Sequence, residues 1–233
     1  MSFQQLKERV WRANQGLIES DLVILSWGNA SGIDRQAGAV AIKPSGVPYN
    51  KLRVDDIVVL SLATGDVIEG RARPSSDTAT HLHLYRSFPS IGGVVHAHSV
   101  CAAAFAQGAR EIPCLGTTHA DTFYGSVPLT RQLTAEEMGS EYELNTGKVI
   151  EETFHKRGLN PDQVPAVLVV GHGPFTWGPT TEKALENAIV LEKVAQMAIN
   201  TYQVNNQAQA IPQVLLDRHF LRKHGPTAYY GQR

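Results

Sequence analysis

Cysteine is scarce in this chain of 233 residues, which contains only Cys101 and Cys114. Two cysteines with apolar flanks do not resemble the disulfide framework of a small secreted protein, so the sequence favours a reducing compartment. The opening residues also lack the apolar segment and small-residue cleavage site of a signal peptide. We therefore expect a cytoplasmic protein.

Long apolar runs and a strong excess of one charge are lacking as well. No apolar run approaches the roughly 20 residues that cross a bilayer. A formal net charge of −1 gives no electrostatic basis for binding nucleic acid or an acidic membrane. We expect neither partner. The hydrophobic fraction of 42% and the charged fraction of 18% are typical of a globular protein, and the length fits one domain spanning residues 1–233.

The spacing of apolar residues predicts both helices and strands. Helices are expected over residues 3–17, from a serine cap at 75–76 to 87, from a capping box at Thr134 and Glu137 to about 158, and over 213–223. Short strand-like runs occupy residues 22–26, 39–43, 57–62 and 165–170. Because strands outnumber a regular β-α-β alternation, we expect an α/β domain of three layers. Its central sheet is mixed and mainly antiparallel, with helices on both faces.

Three histidines give the strongest chemical signal. His96 and His98 stand two residues apart in an apolar run, so strand geometry places both on one face, and His172 follows the last predicted strand. Any one of them alone is typical of a structural histidine, but three imidazoles at strand ends predict a divalent metal centre, with zinc the first choice. Asp77 is the natural fourth neighbour, although a carboxylate there is also typical of a helix N-terminus.

Three short segments of small residues suit a bound anion. Their backbone amides can approach a phosphate group, and a lysine adds a positive charge. Each segment alone is also typical of an ordinary turn. Together with a metal centre they predict a small phosphorylated ligand, bound by Gly28, Asn29, Lys43, Ser45, Gly46, Ser75 and Ser76.

Two polar regions remain. The segment Thr-Thr-His-Ala-Asp ends at Asp121, which is either an acid/base group or a plain turn residue. The C-terminal region carries His219 and then two adjacent tyrosines, Tyr229 and Tyr230. Exposed aromatic tails commonly dock on a neighbouring subunit, so the tail indicates an oligomer.

These motifs resemble the class II aldolase and epimerase superfamily, and within it the L-ribulose-5-phosphate 4-epimerases. The resemblance extends over essentially the whole chain. It rests on Ser-Trp-Gly-Asn, Lys-Pro-Ser-Gly-Val, Pro-Ser-Ser-Asp-Thr, His-Ala-His-Ser, Gly-Thr-Thr-His-Ala-Asp, Gly-His-Gly-Pro-Phe, Leu-Arg-Lys-His-Gly and Ala-Tyr-Tyr-Gly-Gln. It implies a class II aldolase-like fold, a sugar-phosphate substrate and one zinc ion per subunit, with other divalent ions acceptable. The implied ligands are Asp77, His96, His98 and His172.

The resemblance also implies a homotetramer with active sites at subunit interfaces. A neighbouring subunit would bring Tyr230 and His219 into each site, and Asp121 and Tyr230 would act as acid and base. Aldolases of the superfamily carry glutamate at the position of Asp77 and lack the Thr-His-Ala-Asp segment, so both features favour the epimerase branch. The alternatives are an aldolase cleaving another sugar phosphate and a non-catalytic interaction domain on the same fold.

Overall fold

A seven-stranded sheet forms the centre of the computed structural model, which describes residues 1–226, 228 and 229. The strands are β1 (Asn29–Asp34), β2 (Ala39–Ile42), β3 (Val58–Ser61), β4 (Val67–Glu69), β5 (Gly93–His96), β6 (Ala166–Val169) and β7 (Gly173–Gly178). Their order across the sheet is β4-β3-β2-β1-β5-β7-β6. All neighbouring strands in this order pair antiparallel, which confirms the expectation of a mainly antiparallel sheet.

Helices precede, separate and follow the strands. They are α1 (Phe3–Glu19), α2 (Thr78–Ser87), α3 (Val100–Gln107), α4 (Thr117–Ala120), α5 (Ala135–Gly139), α6 (Tyr142–Arg157), α7 (Thr181–Val204) and α8 (Gln213–His224). The predicted opening helix is confirmed, as is the last one. Among the described residues, no helix combines the length and apolar character that a membrane crossing requires.

The two faces of the sheet pack against different helices because side chains alternate along each strand. Val94 and Phe175 belong to a buried cluster with residues of α2 and α6. Val95 follows Val94 along β5 and pairs with Ala30 of β1. Val95 and Ala30 belong to another buried cluster, which includes residues of α1 and α7. The chain therefore forms a single α/β domain with helices on both faces, as expected.

The first predicted strand, at residues 22–26, is wrong. This segment is a loop in which Asp21 and Leu25 have positive φ angles of 55° and 56°, a conformation that an extended strand does not contain. The strand begins instead at Asn29, which pairs with His96 of β5. This register places the amide side chain of Asn29 beside the first of the three histidines.

Two predicted helix starts also need correction. The residue capping α2 is Asp77 rather than a serine, and its side chain makes no capping hydrogen bond. The capping box of Thr134 and Glu137 is present, but it caps the short α5. The long helix α6 begins later, at Tyr142. The first turn of α6 therefore reaches the region where the three histidines meet.

Candidate active site

The three histidines converge at one edge of the sheet. His96 ends β5, His98 lies two residues beyond it, and His172 lies in the turn between β6 and β7. One ligand atom from each imidazole lies within 4.8 Å of the others. The Nε2 atoms of His96 and His98 are 3.0 Å apart. The predicted convergence of these residues is therefore confirmed, although His98 is not part of the strand.

The protonation of these imidazoles suits metal binding. His96 Nδ1 lies 2.9 Å from the carbonyl oxygen of Pro174, which can only accept, so Nδ1 carries the proton and Nε2 presents a lone pair. Burial lowers the pKa of His98 and lowers that of His172 to about 4, so both rings are neutral at pH 7. Three imidazoles facing one point fit a divalent cation, and this donor set suits zinc as well as other first-row ions.

Asp77 lies beside this group but is not a member of it. Its Oδ2 accepts a hydrogen bond of 2.6 Å from Nδ2 of Asn29. Burial alone would raise the pKa of Asp77, but His96, His81 and the Asn29 hydrogen bond together outweigh burial and leave the pKa below its ordinary value. The carboxylate is therefore ionised at neutral pH. Its role as a fourth metal neighbour stays a prediction.

One cleft of about 490 Å³ contains the histidines and Asp77. The residues predicted to bind substrate line the same cleft, namely Gly28, Asn29, Lys43, Ser45, Gly46, Ser75 and Ser76. They come from the start of β1, the end of β2 and the start of α2, which meet at this edge of the sheet. The structure therefore brings together segments that are separated by nearly 50 residues of sequence.

Lys43 supplies a buried positive charge to the cleft. The residue is 1% exposed, and its Nζ lies 3.2 Å from the carbonyl oxygen of Ser26 and 4.8 Å from the centre of the Tyr49 ring. Within the described part of the chain it has no carboxylate within ion-pair distance. Burial lowers its pKa to about 8, so the amine is mostly charged at pH 7. An anionic ligand group would meet an unpaired cation here.

Two residues of the cleft were not identified from the sequence. The hydroxyl of Tyr142 lies 3.3 Å from Nδ1 of His172, and Glu143 lines the same cleft. Both belong to the first turn of α6, whose start at Tyr142 lies seven residues after the start predicted from a cap at Thr134. A correct helix start is the signal that would have placed them near the metal centre.

Asp121 and His219 form a second polar cluster. Oδ1 of Asp121 lies 3.0 Å from Nδ1 of His219, and the carboxylate also receives hydrogen bonds from Arg222 and an ion pair of 3.2 Å from Lys223. Burial would raise the pKa of Asp121, but these three partners outweigh it and lower the pKa. The turn at the end of α4 and helix α8 are thus held together by one ionised carboxylate.

This second cluster lies outside the cleft that holds the histidines of its own chain. His224 donates to the backbone oxygen of Asp121 over 2.9 Å. His224 and Thr122 line a separate cavity of about 480 Å³ together with Gly178, and Gly178 pairs with Gly93 at the end of β5 opposite His96. Asp121 and His219 do not line the cleft that holds the histidines. Tyr230 lies outside the described residues.

Residues 8–199 match the family described as the class II aldolase and adducin N-terminal domain. This match covers most of the chain, so the chain belongs to that family. The fold and the convergent histidines described above are consistent with this membership.

Solved structures of aldolases share the fold. An L-fuculose 1-phosphate aldolase superimposes with a TM-score of 0.77 at 24% identity, covering 92% of this chain and 94% of that one. The L-fuculose 1-phosphate aldolase from Glaciozyma antarctica PI12 gives 0.77 at 19% identity, covering 97% and 84%. A sugar-phosphate aldolase from Thermotoga maritima gives 0.67 at 17% identity, covering 90% and 98%. At these identities the likeness shows the fold alone.

Proposed function

We propose that this chain is a metal-dependent L-ribulose-5-phosphate 4-epimerase, which interconverts L-ribulose 5-phosphate and D-xylulose 5-phosphate. The observation that carries the proposal is a single cleft containing three convergent imidazoles, a carboxylate and a buried unpaired lysine. Such a cleft suits a ligand with oxygen atoms for a metal at one end and a phosphate at the other. The sequence motifs that resemble the epimerase branch supply the choice of reaction.

The chemistry of the substrate dictates cleavage and re-addition. The hydrogen on C4 is not acidic, because the carbonyl at C2 is too distant to stabilise a carbanion at C4. Removal of the C4 hydroxyl proton instead breaks the C3–C4 bond and leaves the enediolate of dihydroxyacetone and glycolaldehyde phosphate. Rotation of the aldehyde, bond formation on its other face and return of the proton to the C4 oxygen invert the stereocentre.

His96, His98 and His172 would hold the metal ion, with Asp77 as the fourth neighbour. When bound, a divalent cation stabilises negative charge on substrate oxygens as a Lewis acid. Lys43, the serines of the cleft and the backbone at Gly46 hold the phosphate, so the aldehyde fragment stays bound while its carbonyl turns. This anchoring limits escape of the fragments, which distinguishes an epimerase from an aldolase.

Proton transfer at C4 needs groups on both faces of the aldehyde, and we propose that a neighbouring subunit supplies them. Asp121 and His219 lie at the opposite end of the strands from the histidines, which supports action in the cleft of another subunit. Tyr230 would act on the other face of the aldehyde. The proposed assembly is a homotetramer in which each cleft faces the Asp121 cluster of the next subunit.

The test is to incubate the purified protein with L-ribulose 5-phosphate and to assay D-xylulose 5-phosphate with and without a chelator. The proposal expects product that disappears on chelation and returns when zinc is added. Stoichiometric release of glycolaldehyde phosphate would instead indicate an aldolase. Bound metal with neither product would contradict the epimerase and favour an aldolase that cleaves another sugar phosphate. A chain that binds no zinc and gains no activity from added divalent ions would favour a non-catalytic domain.

A further inference from the structure

His81 is a fully buried histidine to which neither the sequence nor the proposed reaction gives a role. It lies on α2, one turn after Asp77, and is 0% exposed. Its Nδ1 lies 2.7 Å from Oγ of Ser31 on β1, and the same Oγ lies 2.9 Å from the hydroxyl of Tyr85. Its Nε2 is buried with no hydrogen-bond partner among the described residues. A buried ring nitrogen without a partner is costly, so it calls for a physical explanation.

Counting the protons shared by the Tyr85 hydroxyl, the Ser31 hydroxyl and the His81 ring identifies the tautomer of His81. If Tyr85 donates to Ser31 and Ser31 donates to Nδ1 of His81, both hydroxyl protons are used and Nε2 carries the ring proton. The reverse direction leaves the Tyr85 hydroxyl proton without an acceptor among the bonds of these residues. Burial also lowers the pKa of His81 to about 3, so the ring carries a single proton at pH 7. Nε2 is therefore an unused N–H donor.

The group that this donor can serve is Asp77. Asp77 caps α2 and His81 lies one turn further along the helix, where His81 N donates to the Asp77 backbone oxygen over 3.0 Å. Asp77 is the one carboxylate whose charge acts on His81 in the described structure. Asn29 occupies Oδ2 of Asp77. The side chains of His81 and Asp77 share no direct hydrogen bond, so a hydrogen-bonded link between them requires a bridging water.

We infer that His81 is a positioning residue for Asp77, holding its carboxylate against the metal centre through one ordered water. The inference rests on the proposed function, because that function gives Asp77 its place beside the metal. In this arrangement Asn29 and His81 fix the carboxylate from two sides. Tyr85 and Ser31 fix the tautomer of His81 through Nδ1, the other nitrogen of its ring. Hydrogen bonds of this kind orient a metal ligand without contacting the metal themselves.

Two amide substitutions separate the roles of the two ring nitrogens. His81→Gln places an amide nitrogen near the Nε2 position, whereas His81→Asn places one near Nδ1 and leaves the Nε2 side without a donor. The measurement is the zinc affinity of the whole chain, by competition with a chromophoric chelator. We expect His81→Asn to weaken zinc binding about tenfold and His81→Gln to retain most of the affinity. Cobalt substitution adds a spectroscopic readout of the metal surroundings.

The route through Asp77 is tested by a double-mutant cycle. In an Asp77→Asn background, His81→Asn should cause no further loss of zinc affinity, because the group it positions is already altered. The inference would be overturned if His81→Asn lowered zinc affinity by the same factor in the wild-type and Asp77→Asn backgrounds. It would also be overturned if His81→Asn and His81→Gln had the same zinc affinity. A role confined to packing would lower the melting temperature without this dependence on Asp77.

Ser31→Ala keeps the test decisive if the His81 variants fail to fold. It leaves His81 in place and removes the group that fixes its tautomer, so zinc affinity should fall in the wild-type background but not with Asp77→Asn. Unchanged affinity in Ser31→Ala would contradict the network. Because the readout is zinc affinity, failure of the epimerase assay with zinc bound would overturn the proposed function without deciding this inference, whereas a chain that binds no zinc would overturn both.

Discussion

The metal cleft and the Asp121 cluster differ in how completely one chain builds them. The cleft takes its histidines from strand ends and an adjoining turn in one sheet, and its imidazoles already face one another. The Asp121 cluster is built from a short helix end and α8, and in the described part of the chain Asp121 and His219 do not line the cleft of the histidines. Strand ends bring the three imidazoles together within one chain, whereas the acid/base role proposed for the Asp121 cluster requires a second copy of the chain.

The largest effect should come from removing a metal ligand. His98 is the most exposed of the three histidines, so His98→Asn alters the donor set with little cost in folding. We expect epimerase activity to fall by a factor of about 1,000 or more, because Lewis-acid stabilisation contributes several kcal/mol. Zinc content after dialysis and product formation are the measurements. His155→Asn, at an exposed position on α6, is the matched control. Zinc binding and activity at wild-type levels in His98→Asn would contradict the metal centre.

Removing the carboxylate proposed as acid or base should have the next largest effect and should leave metal binding unchanged. Asp121→Asn is expected to lower kcat by about 100- to 1,000-fold, which lies within the range for general acid–base catalysis. Zinc content should not change, since Asp121 lies at the other end of the strands. Asp217→Asn is the control, because Asp217 bonds to Tyr124 and Gln213 outside the cluster. Loss of zinc from Asp121→Asn would contradict the assignment of metal binding and proton transfer to separate regions.

A smaller effect is expected at the phosphate end of the cleft. Burial lowers the pKa of Lys43 to about 8, so its charge is largely present at pH 7 and is lost as the pH rises through 8. The KM for L-ribulose 5-phosphate should therefore rise about tenfold between pH 7 and pH 9. Lys43→Met should raise KM at pH 7 and remove this rise, while the exposed Lys148→Met should behave like the wild type. If KM still rose about tenfold between pH 7 and pH 9 in Lys43→Met, Lys43 would be excluded as the cause of the pH dependence.

The smallest effect concerns stability near the Asp121 cluster. His119 is 4% exposed and donates from Nε2 to the carbonyl oxygen of Gly125, and burial lowers its pKa to about 4. Because the unfolded chain binds a proton near pH 6.5 and the folded chain does not, stability falls as the pH drops below that value. The contribution of His119 is about 0.7 kcal/mol between pH 7 and pH 6. Urea unfolding at both pH values should show a smaller pH dependence in His119→Asn than in the wild type, whereas an identical pH dependence would contradict this assignment.

Much of this architecture could be predicted because it depends on local patterns. Short apolar runs bounded by Gly, Asp and Pro marked β2 and β3, and helical spacing marked α1 and α8. The histidines were also accessible, since strand periodicity relates His96 to His98 without knowledge of distant contacts. The strand predicted at residues 22–26 failed because a run of apolar residues does not reveal the positive φ of Leu25. The segment is instead a loop in which Leu22 and Val23 are buried, Ile24 and Leu25 are exposed, and Ser26 lines the cleft.

Other features depend on contacts that no local pattern records. Tyr142 and Glu143 reach the cleft only because α6 begins after the capped turn at Thr134 rather than at it. Asp121 and His219 meet across 98 residues of sequence. The sequence pattern does not distinguish His81 from other helical histidines, whereas the structure shows its ring buried and bonded to Ser31. Tertiary packing, rather than propensity, decides the surroundings of these side chains.

Subunit mixing tests most directly whether the two regions form one active site across an interface. His98→Asn lacks an intact metal centre, and Asp121→Asn lacks the proposed acid/base group, so each alone should be nearly inactive. Equal amounts, unfolded together and reassembled, should regain about a quarter of wild-type activity, because that share of interfaces pairs an intact cleft with an intact cluster. Mixed oligomers that form, as native mass spectrometry would show, but remain inactive would contradict a shared site.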